Sequence, residues 1–211
     1  MRKSRFCENE SPVYISDKMT GKMAGIPAIS TSCFDNLYCA ASYEAGRGIC
    51  KHCFSCKTQK RYKTLREALR ENEYLKYHIL KREELPIFQN IQIVRFEAFG
   101  DLETEIQFYN YYQIAKANKD VKFALWSKNA WLVDKAYKRW NLKDLPNLVL
   151  VYSSLELNTP AKKPEHFDKV FTVYEKGVLS GKEINCGARS CAKCKRCYTR
   201  RTGDQIRELL K

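Results

Sequence analysis

Residues 91–107 read IQIVRFEAFGDLETEIQ. The first eight are rich in Ile, Val and Phe and predict a strand over 91–98. Gly100-Asp101 makes a turn, and Thr104-Glu-Ile-Gln107 is a capping-box pattern that opens a helix to about Asn118. The same unit recurs downstream. Residues 121–126 predict a second strand, 130–140 a second helix, 148–152 a third strand after Pro146, and 170–174 a fourth. Strands alternating with helices of this length imply parallel pairing through right-handed crossovers. The expected fold is therefore α/β, a partial or open parallel barrel, with a doubly wound sheet as the alternative.

Working outward, the chain has 211 residues and is 44% hydrophobic, enough to bury a core and to exclude a wholly disordered protein. No apolar run approaches the ~20 residues of a membrane span. We expect one domain: a cysteine-rich segment (1–60), a helix and βα core (61–180) and a cysteine-rich basic tail (181–211). Residues 1–56 read as irregular. A second capping box, Thr64-Leu-Arg-Glu67, predicts a helix running to Leu85-Pro86, with Leu65, Ala68, Leu75 and Ile79 on one face. The basic N-terminus lacks an apolar stretch of the secretory kind, so the cytoplasm, of a host cell if the protein is viral, is the expected location.

The ten cysteines are the most informative residues. In a reducing compartment, clustered cysteines point to metal or redox chemistry rather than disulfides. Cys186, Cys191, Cys194 and Cys197 follow C-x4-C-x2-C-x2-C, so four thiolates can wrap one compact centre. Cys50, Cys53 and Cys56 form a second C-x2-C-x2-C, with Cys39 or Cys33 available as a fourth ligand. The candidate metal ligands are Cys39, Cys50, Cys53 and Cys56 in the first set and the four C-terminal cysteines in the second. Four thiolates suit an iron–sulfur cluster, here one or two [4Fe-4S] centres, or else zinc. His52 is expected to face solvent, and His78 and His166 to have no ligand-like neighbours.

Lys and Arg exceed Asp and Glu by 38 to 24, a net charge of +14. Residues 57–82 carry nine basic against three acidic side chains, and residues 182–211 repeat that ratio. Nucleic acid is the partner such segments would attract, with compensation of anionic thiolate centres as the competing use. A redox partner protein is the other expected contact. Ligands of parallel α/β folds sit at the carboxyl ends of the strands. Glu97, Asp101, Ser127, Lys128, Ser153, Ser154, Glu156, Glu175 and Lys176 fall there and suggest a polar pocket. Arg95 and Glu97 share a strand face and could pair.

Several segments together resemble the phage gene-product-88 proteins: KMAGIPAISTSC (22–33), NLYC (36–39), CKHCFSCK (50–57), VRFEAFGD (94–101), FALWSKN (123–129) and the terminal tetrad ending Cys197-Tyr198. The resemblance covers roughly residues 20–200 and implies a viral protein with bound metal of the iron–sulfur kind and no settled activity. The family usually has Cys-Tyr-Ala-x-Lys where this chain has Cys53-Phe-Ser-Cys56-Lys57, which makes Cys56 an additional thiol here. The family is also distantly similar to radical S-adenosylmethionine enzymes, partial barrels with a cysteine loop. Their C-x3-C-x2-C triad is absent, and the N-terminal motif is expected to precede the strands instead of following the first.

Overall fold

The computed structural model describes residues 4–200 and 205–210. Six strands form one all-parallel open sheet in sequential order: β1 (Ala28–Ile29), β2 (Ile93–Phe96), β3 (Lys122–Ser127), β4 (Leu148–Ser153), β5 (Lys169–Tyr174) and β6 (Gln205–Leu209). The four strands and two helices anticipated in the middle of the chain are present. Thr104 caps α4 (Glu105–Ala117) by accepting from Gln107 N at 3.1 Å, and α5 (Ala130–Trp140) follows β3. Two strands were not anticipated. β1 has only two residues, and a strand rule needs four to eight. β6 reads QIREL, with too few apolar residues to stand out.

These two outer strands change the meaning of the cysteine segments. The first set lies in the β1–β2 connection and therefore follows the first strand, which corrects the expectation that it precedes the sheet. The second set is not a tail. It lies in the β5–β6 connection, and β6 returns to pair with β5 from Val170 opposite Gln205 to Tyr174 opposite Leu209. Residues 1–56 are likewise less irregular than expected, since they contain β1, the helix Leu37–Glu44 (α1) and the start of the helix Phe54–Arg61 (α2).

The helix expected over 64–85 is short: α3 spans Lys63–Arg70 and a 3-10 turn covers Glu73–Lys76. Asn72 is the reason. Its fully buried amide accepts from Tyr14 N at 2.8 Å and donates to Tyr14 O and Ser30 O, which fixes the backbone outside a helix. Asn110 on α4 then holds the following turn through Leu75 O, His78 O and Leu80 N.

The two sheet faces differ. Val94, Phe96, Phe123, Leu125, Leu148 and Leu150 pack under α4 and α5 in the main core. The opposite face carries Ile93, Ala124, Val149 and Val151, and the β5–β6 connection packs against it through Cys186, Cys197 and Tyr198. The bare edge of β1 is bridged by Ser16, which exchanges both backbone bonds with Ala28. Cys7 is buried beside Phe88 in the main core and belongs to neither cysteine set.

Replacing Asn72 by Ala leaves one buried and two half-buried backbone groups short of a partner. It should lower unfolding stability by about 3 kcal/mol, read as a drop in the urea midpoint with unchanged slope.

Candidate metal centres

The N-terminal thiols gather at the carboxyl ends of β1, β2 and β3. Cys33 leaves β1, Cys39 sits on α1, Cys50 closes a 3-10 turn (Gly48–His52), and Cys53 and Cys56 flank the first turn of α2. That turn is pinned across the sheet. Gly48 has φ +43°, Ile49 N donates to Leu155 O at 2.8 Å, and a Cβ on Gly48 would lie 2.1 Å from that same oxygen. On the other side Ser55 donates to Phe99 O, and Gln59 bonds both Ser55 and Ser32.

Cys53 is the N-cap of α2, its sulfur accepting from Cys56 N at 3.5 Å. Hydrogen bonding from the Cys56 thiol and the helix-end amides overcomes burial and holds Cys53 at about 6. Cys33 is lowered for the same first reason, the Cys56 thiol, which itself is held protonated between the two. Burial pushes Cys39 and Cys50 up, with Lys128 opposing. Lys128 thus stands among Cys39, Cys50, Tyr38 and Asp101. Burial works against its charge, and those neighbours together raise its pKa nonetheless. Asp101 accepts from Leu102 N, Ser127 Oγ and Lys128 N and lies 3.7 Å from Lys128 Nζ. Of the expected polar ring, Asp101, Ser127 and Lys128 border this site. Ser154 bonds Thr172 at 3.0 Å, while Glu156, Glu175 and Lys176 are exposed on the rim. Cys33 joins the set by contact with Cys56, so five thiols surround the site.

Glu97 is a support for this region and not an ion-pair partner of Arg95. It ends β2 with φ +49°, an uncommon conformation for a non-glycine residue, and its carboxylate turns toward Thr31 N, Thr31 Oγ1, Gln107 Nε2 at 2.7 Å and the Tyr111 hydroxyl. Gly100 makes room: a Cβ there would lie 2.5 Å from Glu97 Oε2 and 2.6 Å from Thr31 Oγ1. Arg95 turns to the opposite sheet face, its guanidinium 3.9 Å from the centre of the Trp126 ring.

The C-terminal thiols lie against that face. Cys191 and Cys194 bound a single helical turn (α6, Cys191–Cys194), Lys195 reverses the chain at φ +52°, and Cys197 follows. Lys22, Asn185, Tyr198 and Ile206 join all four cysteines in lining one small cavity. Burial raises Cys186 to about 11 and Cys197 to about 12 and also raises Cys191; Arg95 opposes it at Cys191 and Cys197, and Lys22 at Cys186 and Cys191. Lys22 Nζ bonds Cys186 O and Glu208 at 2.9 Å each and lies 4.0 Å from Cys186 Sγ. Cys194 is exposed.

Zinc bound by four thiolates at about 2.3 Å draws every sulfur to within about 3.8 Å of the others. Among the described residues no three cysteine sulfurs lie within 4.8 Å of one another. A cluster gives each thiolate its own iron, so the sulfurs stand further apart. Both sets supply thiols in kind and number for a metal centre, without the sulfur spacing of a formed one. The three ligand atoms that do meet within 4.8 Å belong to Asp134, Glu165 and His166, contrary to the expectation for His166. Lys138 already neutralises Asp134 at 2.7 Å, and the His166 ring stacks on Tyr137. His52 is half-buried, and His78 bonds Glu84 at 2.9 Å.

Comparison of the chain with family models, curated proteins and solved structures gives no match. No helix among the described residues is long and apolar enough to cross a membrane.

Burial raises Glu97 from 4.5 to about 7. The folded state then binds this proton more tightly than the unfolded chain, so stability falls as pH rises from about 4.5 to about 7. Urea midpoints at pH 5 and pH 7.5 should show that fall, up to roughly 3 kcal/mol, and Glu97→Gln should flatten it.

Proposed function

We propose that this chain is an iron–sulfur protein with a redox role, its two thiol sets each holding a [4Fe-4S] cluster. Cys186, Cys191, Cys194 and Cys197 would hold one. Four of Cys33, Cys39, Cys50, Cys53 and Cys56 would hold the other. The resemblance of its segments to the phage gene-product-88 proteins supports a viral origin. The observation that carries the reading is Arg95. Half-buried, it lies beside Cys191, Cys197 and Tyr198, donates to Phe96 O at 3.1 Å, and forms no ion pair with a carboxylate among the described residues. A cation desolvated next to neutral thiols is costly. Next to an anionic thiolate centre it is compensated, and so is Lys128 beside the other set.

A cluster held this way supplies a one-electron donor and acceptor. The protein supplies charge balance and insulation. Lys22 and Arg95 offset negative charge at the second set, and Lys128 does so at the first. Between the sets runs a shared apolar layer, where Ile49, next to Cys50, packs in the same cluster as Trp126, Cys186 and Cys197.

A second reading, a radical S-adenosylmethionine-like enzyme, is favoured by one observation. The N-terminal thiols follow β1 and meet Asp101, Lys128 and Tyr38 at the carboxyl ends of the strands, where parallel α/β folds bind substrates. The spacing C-x2-C-x2-C still departs from that family's triad.

Protein purified without oxygen should be brown and contain about four irons and four acid-labile sulfides per centre. Cys194→Ala should lose only the C-terminal share and make residues 182–200 protease-sensitive. Stoichiometric zinc without sulfide defeats the reading. A perturbed electron paramagnetic resonance spectrum on adding S-adenosylmethionine to reduced protein would move the choice to the second reading.

Arg95→Met tests the charge argument. Removing a nearby positive charge disfavours the reduced cluster, so the C-terminal centre's potential should fall by about 40 mV, equivalent to ~1 kcal/mol. The N-terminal potential should stay within a few millivolts.

A further inference from the structure

The two basic segments separate sharply once their side chains are placed. In residues 57–82, Arg66 and Arg70 share Asp35, and Lys76 is fully buried with Glu73 and Glu103. These cations are structural. In the second segment Lys195 bonds Gln92 and Arg200 pairs with Asp168, while Arg201, Asp204 and Lys211 lie outside the described residues. Lys81, Arg82, Lys182, Arg189 and Lys193 are exposed as well, but the longest stretch of the chain without an acidic residue runs over the outer side of α2 and its two flanks.

Lys51, Lys57, Lys60, Arg61 and Lys63 are all exposed, and none of their side chains forms a hydrogen bond or ion pair among the described residues. No acidic residue occurs between Glu44 and Glu67. Two aromatic side chains stand among these cations. Phe54 is 70% exposed, with its ring stacked on Phe99 at 6.4 Å, and Tyr62 is 51% exposed beneath the Arg61 guanidinium. Solvent is an unfavourable place for such rings. The opposite side of the same helix is fixed by Ser55, Cys56 and Gln59, so the face is rigidly held.

We propose that this face of α2 binds single-stranded nucleic acid, with the cations on phosphates and Phe54 and Tyr62 stacking against unpaired bases. Phosphate needs unpaired cations, which the face supplies without competing carboxylates. Open aromatic rings add a contact that a duplex cannot reach, because its bases are already stacked on one another. The two rings are eight residues apart, about 12 Å along a helix, which accommodates a short run of nucleotides. An acidic protein would satisfy the cations and leave both rings without a matching surface. The inference is independent of which metal the thiols hold.

The test uses the full-length, oxygen-free protein with fluorescein-labelled dT12, rU12 and a 12-base-pair duplex, titrated across 50–200 mM salt. The proposal expects dT12 or rU12 to bind more tightly than the duplex, and the two oligonucleotides show whether DNA or RNA is preferred. Lys57→Ala/Lys60→Ala should reduce the log–log salt slope by about 1.4, at ~0.7 per phosphate of a single strand. Tyr62→Ala, at the far end of α2 from Cys53, should weaken binding at least about fivefold and leave the slope unchanged. Metal content and circular dichroism of each variant show that the fold is intact. No binding at 50 mM salt overturns the proposal. So does equal affinity for the duplex with Tyr62→Ala silent, or displacement of the strand by polyglutamate of equal charge at equal concentration.

Discussion

A strand can lie parallel to its predecessor only if the chain between them crosses back over the sheet. In this protein that constraint places all the candidate chemistry. Two crossovers, β2 to β3 and β3 to β4, are compact helices that cover one face with apolar side chains. The first and last are long, and they carry nine of the ten cysteines. Both begin at the carboxyl end of a strand. The first stays there around Lys128. The last descends over the uncovered sheet face and brings Cys191 and Cys197 to Arg95. The face without helices is thus closed by cysteine-bearing chain, and the sheet need not curl into a complete barrel.

The middle of the fold was legible because its signals are local. Apolar runs at 121–126 and 148–152 and the Thr104 cap each act within a few residues, and β3, β4 and α4 appear where expected. The outer strands depend on partners distant in sequence. Ala28–Ile29 is a strand because Arg95 and Phe96 lie opposite it, not because two residues have any strong preference. Missing β1 and β6 turned two crossovers into apparent termini. The Thr64 signal placed the start of α3 but not its end, for a related reason. A side chain buried at a helix end, Asn72, had partners in Tyr14 and Ser30 that no local pattern announces.

Cysteine spacing marked the right segments but could not rank the thiols. Cys33 lies six residues before Cys39 and looks peripheral, yet its sulfur meets Cys56, since β1 delivers it directly to the strand ends. Charge counting had the same limit. Nine cations in residues 57–82 look alike in sequence, but Lys76 is in the core and Lys57 is in water. The pairing of Arg66 and Arg70 with Asp35 follows from tertiary contact between α3 and the chain after β1.

The placed cations divide into two groups with opposite physical consequences. Lys22, Arg95 and Lys128 point inward at sulfur. Lys57, Lys60 and Arg61 point outward from α2, with Lys51 and Lys63 on its flanks, while its N-cap is Cys53 and its inner side holds Cys56. An inward cation is a cost unless an anion compensates it, as Glu208 does for Lys22 and Asp101 for Lys128. An outward cation carries little desolvation cost and raises the local potential for an anionic partner. Since α2 bears both, anything that shifts the helix on the sheet changes the thiol set and the outer face together. Ser55 and Gln59, bonded to Phe99 and Ser32, are the contacts that oppose such a shift. They tie the helix to the ends of β1 and β2, the same two strand ends that Glu97 joins through Thr31.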